Sequence, residues 1–376
     1  MFKLGCVAFG GPSAHIAMLE DEVVERRRWM SRQHFLDLVG ATSLVPGPNS
    51  TEMMMHVGYE RGGWPGLLLA GSLFVLPAAL ITGLLAALYV SYGSLPDIES
   101  LLWGVKPAVL VVILGAVWKL SKKALKTWRE KALAILALVA ILAGTNELLV
   151  LFVGTVLGSI WLLMTRRQIT GGEWLFVPLL AGATGSEASA AGSQMPVSLQ
   201  ALALFFLKVG SVLYGSGYVL VAFLEGDLVE RYGWLESGQL LDAIAVGQMT
   251  PGPVLTTATF IGYLLLGVPG ALVATVAIFL PSLVFVGILN PLVPSLRRRP
   301  WSAAFLDSVN AVALALMAGV VAKRGLTTLT TWQAWLIVAL SATAMFGFRI
   351  HAAWLMVGAA VLGYLLNQFS VTAGLG

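Results

Sequence analysis

Two lysines lie in apolar surroundings, where a charged side chain is expensive. Lys208 separates an uncharged run from 188 to 207 from a second one at 209–224. A lysine at the centre of a membrane helix costs about 2.5–3.5 kcal/mol on insertion scales, so such residues usually have a function. Lys3 occupies the same place in a second copy of this pattern. We interpret both lysines as counter-charges for a permeating anion; a side chain that snorkels to the interface is the alternative.

Breaks rich in glycine and proline follow each lysine and recur further along the chain. Segments 9–12 (Phe-Gly-Gly-Pro) and 214–217 (Tyr-Gly-Ser-Gly) come about two turns after the lysines, and Pro-Gly-Pro occurs at 46–48 and 251–253. A helix that restarts after a break points its first N–H groups into the gap, where an anion can bind. Four breaks near the membrane midplane would build an anion site. Close helix packing is the alternative role for these glycines.

A few titratable residues could carry protons. Glu52 and His56 lie one helical turn apart with apolar methionines between them. This pair could relay a proton because histidine titrates near neutrality, or it could be a structural hydrogen-bonded pair. Asp37 and Asp242, each nine residues before a Pro-Gly-Pro, are candidates for buried carboxylates. Glu22 lies in a charged interfacial stretch and could reach the mouth of a cavity.

The composition indicates which elements must position these residues. The chain has 376 residues, of which 58% are hydrophobic and 11% charged, and its mean hydropathy is +0.86. Residues 67–96, 243–296, 325–348 and 350–376 carry no charge. Runs of about 18 apolar residues cross a bilayer as helices. The chain is therefore predicted to be an all-α polytopic membrane protein, which excludes soluble enzymes, disordered scaffolds and nucleic-acid-binding modules.

The chain repeats itself with an offset of 204 or 205 residues. Over some eighty residues the two copies match in sequence, including the lysines, the Pro-Gly-Pro motifs and Trp29 with Trp234. Each copy has about six apolar segments, which predicts ten to twelve membrane segments in two homologous halves. The Pro-Gly-Pro predicts a broken or re-entrant second segment in each half. The predicted division is 1–165 (first repeat), 166–198 (linker) and 199–370 (second repeat).

The loop charges predict how the halves are oriented. The loop at 26–28 is Arg-Arg-Arg, whereas its counterpart at 225–236 is mainly acidic, and Arg297–Arg299 falls where the first half has its Asp97 loop. Basic loops favour the cytoplasm. The reversed pattern therefore predicts inverted-topology repeats.

Lys106, next to Pro107 at the start of the fourth segment, is a further candidate. It could face a central cavity or snorkel to the surface. Asn310 occupies its place in the second half.

The motifs resemble the signature of the chromate ion transporter family. They are the segment 9–16, the charged run ending at Trp29, Pro46-Gly47-Pro48, Gly58-Tyr59, Phe74–Pro77 and Lys106-Pro107. The resemblance covers nearly the whole chain and implies proton-driven export of chromate, a tetrahedral dianion, across the bacterial cytoplasmic (inner) membrane, giving chromate resistance. Many members carry Gln where this chain has Glu52. The second half has Leu220 in place of His15, so its half-site departs from the pattern.

We therefore predict a secondary active chromate exporter that is coupled to protons and embedded in the lipid bilayer. Sulfate or another oxyanion is the alternative substrate. The protein could also assemble as a homodimer. A membrane enzyme would need a catalytic constellation, and the sequence has neither His-Glu-x-x-His nor Gly-x-Ser-x-Gly. No cofactor or metal is expected. The predicted anion-binding residues are Lys3, Gly10, Gly11, Pro12, His15, Pro46, Gly47, Pro48, Lys106, Lys208, Gly215, Gly217, Pro251, Gly252 and Pro253. The predicted proton carriers are Glu22, Asp37, Glu52, His56 and Asp242.

Overall fold

The regular structure in the described residues is entirely helical. The computed structural model describes residues 1–9, 11–42, 45–93, 95–165, 196–214, 219–290 and 300–372. The first half contains α1 (Phe2–Val7), α2 (Pro12–Glu20), α3 (Arg32–Thr42), α4 (Asn49–Tyr92), α5 (Pro96–Ala124), α6 (Trp128–Leu142) and α7 (Glu147–Thr165). The second half contains α8 (Leu199–Val212), α9 (Leu220–Phe223), α10 (Ser237–Met249), α11 (Thr257–Leu289), α12 (Pro300–Thr328), α13 (Trp332–Ala342) and α14 (Ala352–Thr372). Short π-helical segments follow α2, α9 and α13, at Asp21–Arg26, Leu224–Arg231 and Thr343–Gly347.

Six helices of the described part are long and apolar enough to cross a membrane. They span Asn49–Tyr92, Pro96–Lys122, Glu147–Thr165, Val254–Ile288, Ala303–Thr328 and Ala352–Phe369. Large apolar side chains such as Leu84, Leu136 and Trp354 are exposed, as expected for a surface that contacts lipid. The prediction of a helical membrane protein is confirmed.

Helix α4 is a tight helical hairpin. Its backbone leaves the helical region at Gly62 and at Gly63, where φ is 58° and ψ is −145°. In a straight helix, Gly58 and Gly66 would be about 12 Å apart. Their backbones are in contact, since a Cβ on either glycine would overlap the carbonyl of the other. The two arms, 49–61 and 64–92, therefore run antiparallel.

Helix α11 repeats this hairpin at the repeat offset of 204. Its backbone breaks at Leu266 and Gly267, where φ is 62° and ψ is −150°. Gly262 and Gly270 are in backbone contact as Gly58 and Gly66 are. The duplication inferred from the sequence is thus visible in the backbone.

The second segment of the first half is re-entrant, as predicted. Nε2 of His34, at the start of α3, lies 3.6 Å from Oε2 of Glu60, at the end of the first arm of α4. The start of α3 and the end of the first arm of α4 therefore lie at the same end of the molecule. The Pro-Gly-Pro at 46–48 forms the tip of the hairpin between them.

The first segment of each half also folds back, which the sequence analysis did not predict. Nζ of Lys208 in α8 lies 3.1 Å from Oδ2 of Asp227, although a continuous helix would separate the two residues by about 28 Å. The rings of Phe205 and Tyr232 are 6.3 Å apart. In the first half, Met1 and Leu4 belong to one apolar cluster with Val23 and Trp29, as the same folding back requires. Each half therefore contributes two hairpins, followed by the second arm of its long broken helix and three further helices.

The two halves are inverted. Trp64, at the start of the second arm of α4, lies against Gly287, near the end of α11, so these equivalent arms run antiparallel. A two-fold axis parallel to the helices would leave equivalent helices parallel, so the axis relating the halves is perpendicular to them. This antiparallel arrangement is the one expected of inverted-topology repeats.

The inversion gives the molecule two ends of opposite charge. The loops at 26–32 and 124–131 form one end, which is rich in arginine and lysine. The other end is formed by the segments 95–99, 143–147 and 224–236, which include the first turn of α5 and a π-helical segment, and there Tyr89 donates a hydrogen bond to Asp242 across the halves. We call these the basic end and the acidic end.

Candidate functional site

The tips of the re-entrant hairpins meet at the centre of the molecule in symmetric pairs. The Gly47 N–H donates to the Leu213 carbonyl at 2.5 Å, and the Gly252 N–H donates to the Ala8 carbonyl at 2.9 Å. These two bonds are related by the repeat offset of 205. The Pro-Gly-Pro loop of each half is therefore bonded to the first helix break of the other half.

Both loop glycines are needed for this close approach. Gly47 has φ of +144°, and a Cβ there would overlap the Ser282 hydroxyl and the Glu52 carboxylate. Gly252 has φ of +91°, and a Cβ there would come within 2.8 Å of the Ala78 Cβ. Close packing, the alternative role considered for the break glycines, therefore applies at these two positions. Their role in binding an anion stays a prediction.

A cavity of about 630 Å³ leads from the basic end to these tips. Its mouth carries four exposed basic side chains, Lys119, Lys126, Arg349 and His351. Its inner wall is formed by residues of the hairpin tips, namely Gly11, Pro12, Ser13, Tyr214, Gln248, Thr250 and Gly252. We call this space the central cavity. Asp307 is the one carboxylate among its lining residues, so basic side chains outnumber acidic ones and the cavity suits an anion that enters from the basic end.

Helix α2 begins at the inner wall of the central cavity. Gly11 precedes it with φ of 78°, and Pro12 is its first residue, where the missing N–H of proline is tolerated. The N-terminus of a helix favours negative charge. Nε2 of Gln248 is buried at the same wall and has no hydrogen-bond partner among the described residues. The wall therefore offers donors to a bound oxyanion.

The two lysines singled out in the sequence do not line the central cavity. Lys3 is exposed on α1. Lys208 is paired with Asp227, whose other carboxylate oxygen lies 3.9 Å from Arg231. A lysine in an apolar helix is tolerated here because the second arm of its own hairpin supplies a carboxylate.

His15 stabilises the backbone of the first helix break. Its side chain is buried, and its Nε2 lies 3.0 Å from the Ala8 carbonyl. Its ring packs edge-on against Phe74 with the centroids 5.6 Å apart. The Ala8 carbonyl is the one that also accepts from Gly252, so His15 supports the contact between the halves. Gly10, Gly215 and Gly217 lie outside the described residues.

Glu52 and His56 are both fully buried but do not bond each other. The Glu52 carboxylate faces the Ser282 hydroxyl at Gly47. Nδ1 of His56 lies 2.7 Å from Oδ1 of Asn290. Tyr214, on the wall of the central cavity, is close enough to Glu52 to be influenced by its charge. The pair therefore lies directly behind the hairpin tips.

Asp242 and Asp37 differ in burial, although their positions in the repeat are equivalent. Asp242 is 3% exposed and accepts a hydrogen bond from Tyr89 at 3.0 Å, with Nζ of Lys106 3.8 Å away. Asp37 was expected to be buried, but it is only partly so and accepts from exposed Gln33 at 3.3 Å. Its helix, α3, lies near the surface here, since the neighbouring Gln33 and Leu36 are exposed.

Glu22 is an interfacial residue, as its charged surroundings suggested. Its carboxylate pairs with Arg27 at 2.5 Å and with Arg26 at 3.6 Å. The hydrogen bond from Arg27 lowers the pKa of Glu22 below its usual value. Glu22 is not among the residues that line the central cavity.

Ion pairs between the halves close the acidic end. Lys106 of the first half faces Asp242 of the second, and Glu147 of the first half lies 3.7 Å from Lys323 of the second. Arg324 beside Lys323 pairs with Glu225. These contacts explain why the acidic end carries Lys323 and Arg324, which the loop-charge rule would place at the other end.

The repeat counterparts of these pairing residues surround the open cavity. Asn310 and Lys119, the counterparts of Lys106 and Lys323, both line it. Sequence reasoning noted Asn310 only as a replacement, and it missed Lys119, Gln248 and Arg349. The repeat alignment could have identified Lys119, whereas no sequence signal marks Gln248.

Inverted halves, re-entrant hairpins that meet at the centre, and a charged cavity open at one end are features of transporters built from inverted repeats. The family described as "Chromate transporter" matches residues 1–159 and 200–364. The chain belongs to this family.

Named relatives cover most of the chain. A chromate transport protein of Cupriavidus metallidurans is 33% identical over 96% of this chain and 90% of its own length. A probable chromate transport protein of Synechococcus elongatus is 31% identical over 96% and 93%. A chromate transport protein of Pseudomonas aeruginosa is 32% identical over 88% and 79%. No solved structure matches the chain significantly.

Proposed function

We propose that this protein exports chromate across the bacterial cytoplasmic membrane and so confers chromate resistance. The observation that carries the proposal is the central cavity, which has a basic mouth and ends on the meeting point of the hairpin tips. The relatives named as chromate transport proteins support the choice of substrate. The rule that basic loops favour the cytoplasm places the basic end, and therefore the open mouth, on the cytoplasmic side.

The anion would bind where the hairpin tips reach the inner wall. A tetrahedral dianion accepts hydrogen bonds in several directions, and the wall offers the N-terminus of α2, Nε2 of Gln248 and the hydroxyl of Tyr214. Lys119 and Arg349 at the mouth would raise the local anion concentration. Lys208 then stabilises its own hairpin through Asp227 rather than binding the anion, and Lys3 lies outside the cavity lining.

Export would follow from the charge of the substrate as well as from protons. A dianion that leaves a negative interior gains about 2.3 kcal/mol per charge per 100 mV, which is about 4.6 kcal/mol in total. Coupling to protons would act through Glu52, since a carboxylate behind the tips and a dianion on them repel each other. The halves would then rock about the tips, and the ion pairs of the acidic end would break to release the anion.

Transport into everted membrane vesicles tests this function, because the basic end then faces the medium. We expect chromate uptake that rises with an imposed potential, positive inside, and that falls when the potential is dissipated. Sulfate added in excess measures the alternative substrate. Chromate uptake no greater than in vesicles without the protein would refute the function. Uptake of sulfate alone would favour the sulfate transporter.

Two lysines on α5 allow an experiment that distinguishes charge at the cavity mouth from charge elsewhere on the surface. Lys119 lines the mouth, whereas Lys122, one turn later, is exposed over the Trp118 ring and does not line it. Lys119→Gln should lower kcat/KM for chromate about threefold to tenfold at low salt, and less at high salt. Lys122→Gln should leave it unchanged. Equal effects of the two substitutions would show that the mouth does not steer the anion.

A further inference from the structure

The first arm of α4 carries a ladder of titratable side chains from the hairpin tips to the basic end. Glu52, His56 and Glu60 follow one another at intervals of four residues and so share one face of the helix. Glu52 and His56 are 0% exposed, whereas the Glu60 side chain is 38% exposed. Polar groups on one face therefore lead from the buried centre to the surface.

The ladder continues onto a second helix at its outer end. Nε2 of His34, on α3, lies 3.6 Å from Oε2 of Glu60, and its side chain is 45% exposed. Arg61, next to Glu60 in the chain, lies instead over the ring of Trp29. Glu60 therefore contacts both solvent and the His34 ring at the outer end of the ladder.

One ring nitrogen of His56 has a hydrogen-bond partner, and the other has none among the described residues. Nδ1 is 2.7 Å from Oδ1 of Asn290 of α11, an acceptor, so Nδ1 donates there. In that tautomer Nε2 is an acceptor, and it has no hydrogen-bond partner among the described residues. This arrangement leaves Nε2 able to take up a proton.

The repeat shows that the hairpin does not need these groups. The counterparts of Glu52, His56 and Glu60 in the second half are Thr256, Phe260 and Leu264. Helix α11 nevertheless forms the same hairpin with the same glycine contacts. The titratable ladder is therefore an addition to one half and not a requirement of the fold.

We propose that Glu52, His56, Glu60 and His34 form a proton route from the hairpin tips to the basic end, separate from the central cavity. None of the four is among the residues that line that cavity. Because Glu52, His56 and Glu60 are not hydrogen-bonded to one another, each transfer along α4 passes through an intervening water: the proton leaves the Glu52 carboxyl, forms an imidazolium at Nε2 of His56, moves to the Glu60 carboxylate and then to His34 or bulk water. Only O–H and N–H bonds change. At the inner end of the route, Glu52 lies near Tyr214 and Ser282. An anion bound at the hairpin tips therefore acts on Glu52 through these two residues. The route rests on the proposed function, and it specifies how the coupled proton reaches the cytoplasmic side.

Full-length protein in liposomes, with a pH dye inside, tests the route by two readouts. One is the proton flux that a chromate gradient drives, and the other is the chromate flux that a potassium diffusion potential drives. His56→Gln should lower the proton flux by about 100-fold, as expected when a proton-transfer group is lost, while the potential still drives chromate. Glu60→Gln should cause a smaller loss, because water reaches this position.

Glu25→Gln is the matched control, since Glu25 is an exposed carboxylate of the basic end that lies outside the ladder. Its proton flux should equal that of the wild type. Unchanged proton flux in both ladder variants would overturn the route while leaving the exporter intact. Wild-type liposomes that move no chromate under either gradient would instead refute the function on which the route rests. Because Glu60 is partly exposed, its variant keeps the test decisive if His56→Gln fails to fold.

Discussion

Replacing Lys106 by the residue that its repeat counterpart carries should loosen the acidic end. Lys106→Asn copies Asn310 and leaves Asp242, which is 3% exposed, with the hydrogen bond from Tyr89 as its one remaining partner among the described residues. Removing one partner of a buried ion pair costs about 3–5 kcal/mol. The cost here is lower, about 1–2 kcal/mol, because Lys106 is 28% exposed, lies 3.8 Å away and leaves Tyr89 in place.

This loss acts on the equilibrium between closed and open states of the acidic end. Asp242 would be hydrated when the end opens, so the substitution destabilises the closed state alone. A change of 1.4 kcal/mol is a factor of ten, so about 1–2 kcal/mol shifts the equilibrium by roughly fivefold to thirtyfold towards the open state.

Cysteine labelling measures the shift. The chain has one cysteine, Cys6, which is first replaced by alanine. Ala245→Cys then places a thiol at a buried position one turn from Asp242. An impermeant maleimide added at the acidic side should react roughly fivefold to thirtyfold faster in Lys106→Asn, and Lys122→Asn should have no effect. Equal labelling rates with and without Lys106 would refute the idea that this pair holds the end closed.

Two glycine substitutions test the hairpin geometry through the melting temperature in detergent. Gly47→Ala should destabilise the protein by about 1–3 kcal/mol, because its Cβ would overlap neighbouring atoms. Gly144→Ala, which also has positive φ (+87°) but no atom within 4 Å, should cost less; equal losses would argue against overlap at the tips. Gly63→Ala should cost about 1–3 kcal/mol from backbone strain alone, whereas Gly62→Ala, with φ of −154°, should cost less. The turn assignment fails if Gly62→Ala is as destabilising as Gly63→Ala.

The local signals in the sequence predicted most of the backbone. A Pro-Gly-Pro run removes two backbone donors within three residues and favours non-helical backbone, so the breaks at 46–48 and 251–253 could be predicted directly. Inversion could be read from the loop charges, because those charges depend on which side each loop faces. The folding back of the first segment could not be predicted. Its apolar length fits a crossing helix, and the contact that decides it, Lys208 with Asp227, joins residues on opposite sides of a break.

The anion-facing residues were harder to predict than the breaks. A lysine in an apolar run stands out in a sequence, but whether it faces an anion or a carboxylate depends on tertiary structure. Lys208 pairs with Asp227, whereas the cavity mouth uses Lys119 and Arg349, which look like ordinary loop charges. Composition therefore indicates where charge is costly, and only the packing indicates what neutralises it.

The same duplication explains why the central cavity is open at the basic end. Among the described residues, two ion pairs join the halves at the acidic end, and each has lost one member in its counterpart at the basic end. Lys106 becomes Asn310, and Glu147 becomes Ala352, since α7 and α14 begin at these two residues. Closing the basic end would therefore form neither pair, so the inter-half ion pairs favour the state in which the basic end is open. Lys119, which has lost that carboxylate, remains at the mouth as a positive charge available to an arriving anion.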